Sequence, residues 1–170
     1  MKKKIFITVA IDSPAAAGAG TQSKLIAKHY NLFYLDTGKI YRYIGLLRLK
    51  YIKKFSYSFV KRKINKLKIK SLSNKNLLPD EVAISAAIIA RDKKIRNIVH
   101  KFQKNCAYKP PKKFSGSILD GRDITSIQLK DAMFKFFITA SLITRAKRRL
   151  KDYKSLNKQI SLKEVIKSIK

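Results

Sequence analysis

Three groups of residues are of types, and at spacings, that suit chemistry on phosphate. The first is Ser13-Pro-Ala-Ala-Ala-Gly-Ala-Gly-Thr21. It follows a largely β-branched and aromatic run from Ile5 to Ile11 and precedes Leu25, Ile26 and His29 or Tyr30 at helical spacing. Strand, glycine-bearing turn and helix together present backbone N–H groups and the positive end of a helix dipole to an anion. The usual loop reads Gly, four residues, Gly-Lys-Ser/Thr. Gly18 fits that pattern and Thr21 brings its hydroxyl, but Ser13 stands for the first glycine and Ala19 for the lysine. Lys24, one turn further, is expected to be poorly placed to replace that lysine. An ordinary strand-to-helix turn is the alternative reading of this segment.

The second group is acidic. Only ten carboxylates occur in the chain, and Asp12, Asp36, Asp120 and Asp123 fall at or near the ends of strand-like runs, beside Gly or Ser. Ligands of open α/β sheets bind in that crevice. The third group is Arg42, Arg96, Arg122, Arg145, Arg148 and Arg149. A planar guanidinium holds two phosphate oxygens at once, which a lysine cannot do. Arg96 read alone is also compatible with a surface position, and Arg148 with Arg149 with a plain basic helix face.

These residues need elements to hold them. Leu32 to Asp36 reads as a second strand, broken at Gly38, with a helix from about Lys39 to Lys50. Tyr51 to Asn76 is rich in lysine and is expected to be a surface helical segment. Pro79 and two acids mark a helix start, giving a helix from Glu81 to Ala90. Asp92 is a plausible N-cap for another helix that runs to about Ala107. On it Ile95, Ile98, Val99 and Phe102 form the apolar face, leaving Arg96 and Gln103 free to reach a ligand. Pro110-Pro111 ends it. Ser117 to Ile124 is a strand ending in a charged turn. Met133 to Thr139 is nearly continuous in apolar residues and is expected to be a central, buried strand. Ser141 opens a helix from Leu142 to Tyr153. Ser161 with Glu164 forms a capping box for a last helix to Lys170. The order β-α-β-α-(helices)-β-β-α predicts a parallel sheet with helices on both faces.

Composition sets bounds. The 170 residues suit one domain, and with 45% hydrophobic residues the chain can bury a core. The single cysteine, Cys106, excludes an intramolecular disulfide and fits a reducing compartment, so a cytoplasmic protein is expected. No apolar run approaches the ~20 residues of a membrane span, and the basic start Met1-Lys-Lys-Lys4 lacks a cleavage site behind it. The net charge of +30 is spread over the whole chain as lysine. It is read as solvated surface charge, and no nucleic-acid partner is expected.

Several separate pieces agree on one family. They are Ala10-Ile-Asp-Ser-Pro-Ala15, Gly18-Ala-Gly-Thr21, Tyr34-Leu-Asp-Thr-Gly38 with Tyr41-Arg42, and Ile95-Arg96 with Gln103. To these add Asp120-Gly-Arg-Asp-Ile124 and Phe137-Ile-Thr-Ala-Ser141 with Arg145 and Arg148-Arg149. Together they resemble bacterial cytidylate kinases, a branch of the nucleoside monophosphate kinases, over nearly the whole chain from Ile5 to Ile169. The resemblance implies a P-loop kinase: a three-layer α/β/α fold with a central parallel sheet, a helical monophosphate-binding insertion and a lid. It implies a single domain over 1–170, with its core at about 1–50 and 115–170, the insertion at about 51–110 and the lid at about 145–160. It also implies more chain past Lys170 than this sequence has, hence a C-terminally truncated member.

The activity so implied is transfer of the γ-phosphoryl of ATP to CMP or dCMP with Mg2+, by a monomer. Ser13, Pro14, Ala15, Ala16, Ala17, Gly18, Ala19, Gly20 and Thr21 would wrap the ATP phosphates, helped by Arg145. Thr21 and Asp120 would hold the metal. Thr37, Tyr41, Arg42, Arg96, Arg122 and Asp123 would line the CMP pocket, with Asp123 reading the cytosine amino group. Asp120, Arg122 and Arg148 would carry catalysis, and Arg145, Arg148 and Arg149 would belong to the lid. Ala87 stands where the family has a base-contacting serine, with Ser85 nearby on another face. The alternatives are a nucleotide-binding relic of this family without turnover and, favoured only by charge, a basic nucleic-acid-binding protein.

Overall fold

The computed structural model describes residues 6–155 and 157–169; the expectations for Met1 to Ile5 and for Lys170 lie outside them. Strands β1 (Ile7–Asp12), β2 (Leu32–Asp36), β3 (Gly116–Gly121) and β4 (Phe134–Phe137) form one parallel sheet in the order β2-β3-β1-β4. Alternation along β1 divides two cores. Val9 and Ile11 pack on one face with Ala27, Leu32 and Ile118, while Ala10 packs on the other with Leu35, Ile40, Ile44 and Leu119. Helix α1 (Ala19–His29) covers the first face. Helices α2 (Thr37–Lys50), α3 (Tyr57–Asn65) and α5 (Lys93–Tyr108) gather on the second. The α/β/α layering expected from the element order is present.

The helix signals are read by the backbone as expected. The Asp92 carboxylate accepts from the N–H groups of Lys94 and Ile95 and starts α5. Ser161 and Glu164 exchange hydrogen bonds ahead of α7 (Leu162–Ile169), which is the capping box. Helix α4 (Asp80–Ile89) crosses α2 at Gly45, where a Cβ would stand 2.9 Å from Ala86 N and Val82 O. Only glycine allows that approach.

Three expectations need correction. The first is the run Met133 to Thr139. Its strand β4 lies at the sheet edge, paired with β1 alone, and all four residues are exposed, Phe137 at 71%. A continuous apolar run reports apolar side chains on both faces, not neighbours on both edges. The helices that follow, α6 (Leu142–Ser155) and α7, pack on each other through Ala146 and Val165. The second is Gln103, expected to be free for a ligand. It is 1% exposed, because α5 presents Ile95, Val99, Gln103 and Ala107 inward as one stripe. The third is the segment Tyr51 to Asn76. Its charge is solvated, but Phe59 is buried, and Val60, Ile64 and Leu72 join the second core.

Candidate active site

Register explains why the carboxylates meet. Asp36 of β2 and Ile11 of β1 both lie level with Asp120 of β3, and Asp12 lies level with Gly121. Three carboxylates therefore leave the sheet at one edge, the C-terminal edge where such sheets bind ligands. They have different tasks. Asp12 is structural: its Oδ1 accepts from Ile124 N at 2.6 Å and its Oδ2 from Thr125 N at 3.0 Å, which pins the π turn Ile124–Gln128. Asp36 is the N-cap of α2, accepts from Lys39 N and faces the Lys39 ammonium at 4.0 Å. Asp120 is the odd one. It is buried, Tyr34 Oη donates to its Oδ2 at 3.2 Å, and its Oδ1 has no partner among the described residues.

The loop between β1 and α1 is a backbone cradle. Ser13 N donates to Gly121 O at 3.0 Å, which ties its start to the end of β3. Ala16 and Gly18 take left-handed φ values of 60° and 98°. Such an alternation can aim neighbouring N–H groups at an anion, and an alanine in that region is held there only by its surroundings. Ala17 N donates to Pro14 O and Thr21 N to Gly18 O. Gly18 precedes α1, whose first turn carries no acidic residue and no side-chain cap, which leaves the N–H groups of Ala19 and Gly20 for an anion. The whole segment Ser13 to Thr21 lines one open cleft of about 500 Å3 with Lys24, Tyr34, Asp36, Lys39, Asp120 and Arg122. A groove of about 530 Å3 between α3 and α5, lined by Lys61, Asn65, Asn97 and Lys101 among others, has no carboxylate or glycine and plays no part here.

The expected acceptor residues form two groups. Arg42 lines a smaller cleft of about 230 Å3 with Leu72, Leu77 and Leu78, and donates to Leu77 O at 2.8 Å. Burial, with Arg149 second, holds its guanidinium below its ordinary pKa. Asp36, Gly38 and Lys39 are shared by the two clefts, so the two spaces meet there. Tyr41, Arg96 and Asp123 form the second group. Arg96 Nη2 is ion-paired with Asp123 Oδ2, and Tyr41 is pushed up to about 12 by burial, with Arg96 lowering and Asp123 raising it. Thr37 is buried, and its hydroxyl donates to Asp120 O at 2.7 Å, so in this state it fixes β3 rather than facing a cleft. Ser85 donates to Gly45 O, away from both clefts, while Ala87 is exposed.

Helix α6 brings its arginines to the loop. Arg145 Nη1 donates to Ala15 O at 3.3 Å and Arg148 Nη1 to Ala17 O at 2.8 Å. Sequence reasoning did not assign Lys24, Lys39 or Asp152 to the cleft they line. Helical spacing from Gly20 was the signal available for Lys24. Asp152 had none, since its place depends on how α6 leans.

Electrostatics single out Asp120. Its carboxyl is pushed up to about 7, first by burial and then by Asp36, against the Tyr34 hydrogen bond and the Lys24 charge. The folded value lies above the ordinary 3.8, so the folded protein holds this proton more tightly than the unfolded chain. Its contribution to stability is whole below about pH 3.8 and is lost as pH rises through about 7. Melting temperatures of the ligand-free protein, minus those of Asp120→Asn, should therefore fall from about pH 4 to 7 and then level off. Parallel curves would show an ordinary aspartate.

Comparison with known proteins agrees with this geometry. A family model described as cytidylate kinase matches residues 9–170. A cytidylate kinase of Clostridium botulinum (strain Loch Maree / Type A3) is 38% identical over 176 positions, covering 96% of this chain and 78% of that protein. One of Bartonella tribocorum is 36% identical, covering 95% of this chain and 74% of its own length. One of Paramagnetospirillum magneticum is 38% identical, covering 85% and 68%. With a loop that can cradle phosphate at one end of a parallel sheet, a buried carboxylate facing it and a match over nearly its full length, the chain belongs to the cytidylate kinase family of nucleoside monophosphate kinases.

Proposed function

We propose that the protein transfers the γ-phosphoryl group of ATP to CMP or dCMP, giving ADP and CDP or dCDP. The observation that carries this reading is the donor cleft itself: a backbone cradle opposite Asp120, joined to a second cleft through Asp36, Gly38 and Lys39. Phosphoryl transfer is achieved mainly by positioning and charge neutralisation. An oxygen of the CMP phosphate bonds to the γ-phosphorus as the bond to the β–γ bridging oxygen breaks, and ADP leaves with that electron pair. The loop N–H groups hold the donor phosphates. Arg122, at the junction of loop and β3, balances charge that spreads over the transferring group. Arg42 and Arg96 serve the acceptor, and Asp123 accepts from the cytosine amino group.

The donor set fits Mg2+. Asp120 offers a buried carboxylate oxygen without a partner, and the Thr21 hydroxyl lines the same cleft. No cluster of three or more metal-binding side chains occurs among the described residues. That suits Mg2+, which keeps water and substrate phosphate as ligands and takes one or two protein oxygens. When bound it neutralises phosphate charge. The lone cysteine and the lack of any described helix long and apolar enough to cross a membrane are compatible with the cytoplasm, and we read the protein as a monomer there.

ADP release, coupled to an optical signal, should rise with CMP and dCMP and stay low with UMP. Absence of release with all three, alongside measurable ATP binding, would favour the second reading. That reading is a nucleotide-binding relic, and the observation behind it is Ala19 in the lysine's place.

A further inference from the structure

The loop lysine normally reaches the β- and γ-phosphates as a point charge. Here its place holds the methyl group of Ala19, buried against Val9, Ile11 and Ile118. In a chain of net charge +30 geometry, not supply, decides which cation takes over. The Nη1 donors of Arg145 and Arg148 are engaged by the carbonyls of Ala15 and Ala17. Lys39 lines the cleft, but its ammonium faces Asp36.

Lys24 lines the same cleft from α1. Residues four apart share a helix face, and a helical side chain leans toward the N-terminus, so Lys24 extends over Gly20. The bare face of Gly20 is the one that meets Asp120: a Cβ there would stand 3.4 Å from Asp120 Oδ2 and 3.5 Å from Tyr34 Oη. The absence of a side chain at Gly20 leaves that face of α1 open to the Lys24 stem. Lys24 lines the cleft together with the loop, Thr21 and Asp120, and its charge acts on the Asp120 carboxyl. No acid in the first turn of α1 competes for it.

We infer that Lys24 supplies the cation the loop lacks, reaching the β- and γ-phosphates of ATP from one turn further along α1. The inference rests on ATP being the donor, but its test separates the two. ATP and AMP affinities are measured by titration for the wild type, Lys24→Met and Lys28→Met. Lys28 is exposed on the following turn and gives the same loss of charge outside the cleft.

Lys24→Met should weaken ATP roughly tenfold or more and leave AMP unchanged, since AMP lacks the contacted phosphates. Lys28→Met should leave both unchanged. Turnover of Lys24→Met should fall by about 10²–10³, the cost of removing one transition-state donor. Equal ATP affinity and turnover in wild type and Lys24→Met would overturn the inference, as would an equal loss for ATP and AMP. A wild type that binds ATP but does not phosphorylate CMP would sink the kinase reading and leave the affinity comparison to decide on Lys24. In the wild-type background, Ala19→Lys should add less than about tenfold; a gain of about 10²–10³ would show the place was empty and overturn the assignment.

Discussion

Asp123→Ala is expected to lower the preference for CMP over UMP by about a hundredfold or more. A site built to hydrogen-bond one substrate group rejects the analogue without it by up to ~10⁴–10⁵, because a buried group of the site is then left unpaired. Asp123 has the surroundings for this. One of its oxygens is held by Arg96, and Tyr41 stands beside the pair with its hydroxyl kept protonated by burial. The fixed carboxylate can take a cytosine amino group on its remaining acceptor sites, whereas the carbonyl of uracil would bring oxygen against oxygen. The pair is about a third exposed, so as an ion pair alone it adds little stability. Kinetics with both nucleotides measure the ratio, and the KM for ATP should stay near wild type. A ratio that survives the substitution would mean that the base is read elsewhere, and Asp123 would then serve only to orient Arg96.

The sheet was legible because each strand announced itself locally. Ile7 to Asp12 and Gly116 to Gly121 carry apolar residues on both faces and stop at a glycine or small residue, and α2, α3 and α5 between them start on a capping acid or hydroxyl. The loop was legible from its glycines. What stayed hidden depends on contacts distant in sequence. The edge position of β4 follows from pairing with β1 alone, which Phe134 to Phe137 do not encode. The structural use of Asp12 needs Ile124 and Thr125, over a hundred positions away. Likewise the bond from the Thr37 hydroxyl to the Asp120 carbonyl, at 2.7 Å, joins residues far apart in the chain. The place of Lys24 on the loop cleft was hidden for a different reason. It depends on which face of α1 turns toward β3, and Gly20, one turn earlier, shares that face.

Arg122→Ala should reduce kcat/KM for CMP by about 10- to 200-fold, the equivalent of the roughly 1.5–3 kcal/mol of one charge-assisted contact. The backbone that presents Arg122 has little freedom. Gly121 before it faces the Thr37 hydroxyl and the Ile124 side chain, so closely that a Cβ would collide with both. Ser13 N is bonded to the Gly121 carbonyl, and Ile124 N to Asp12. The side chain itself is exposed and lines both the loop cleft and the adjoining space beside Phe137 and Arg145. A rigid stalk carrying an exposed guanidinium suits the role proposed for Arg122. Arg122→Lys tests this more finely than alanine does. It keeps the charge and loses the planar fork, so a contact made by two parallel N–H groups should be recovered only in part. Full recovery with lysine would reduce Arg122 to a point charge. Kinetics of Arg122→Ala indistinguishable from wild type would remove it from the site and leave the acceptor phosphate to Arg42 and Arg96.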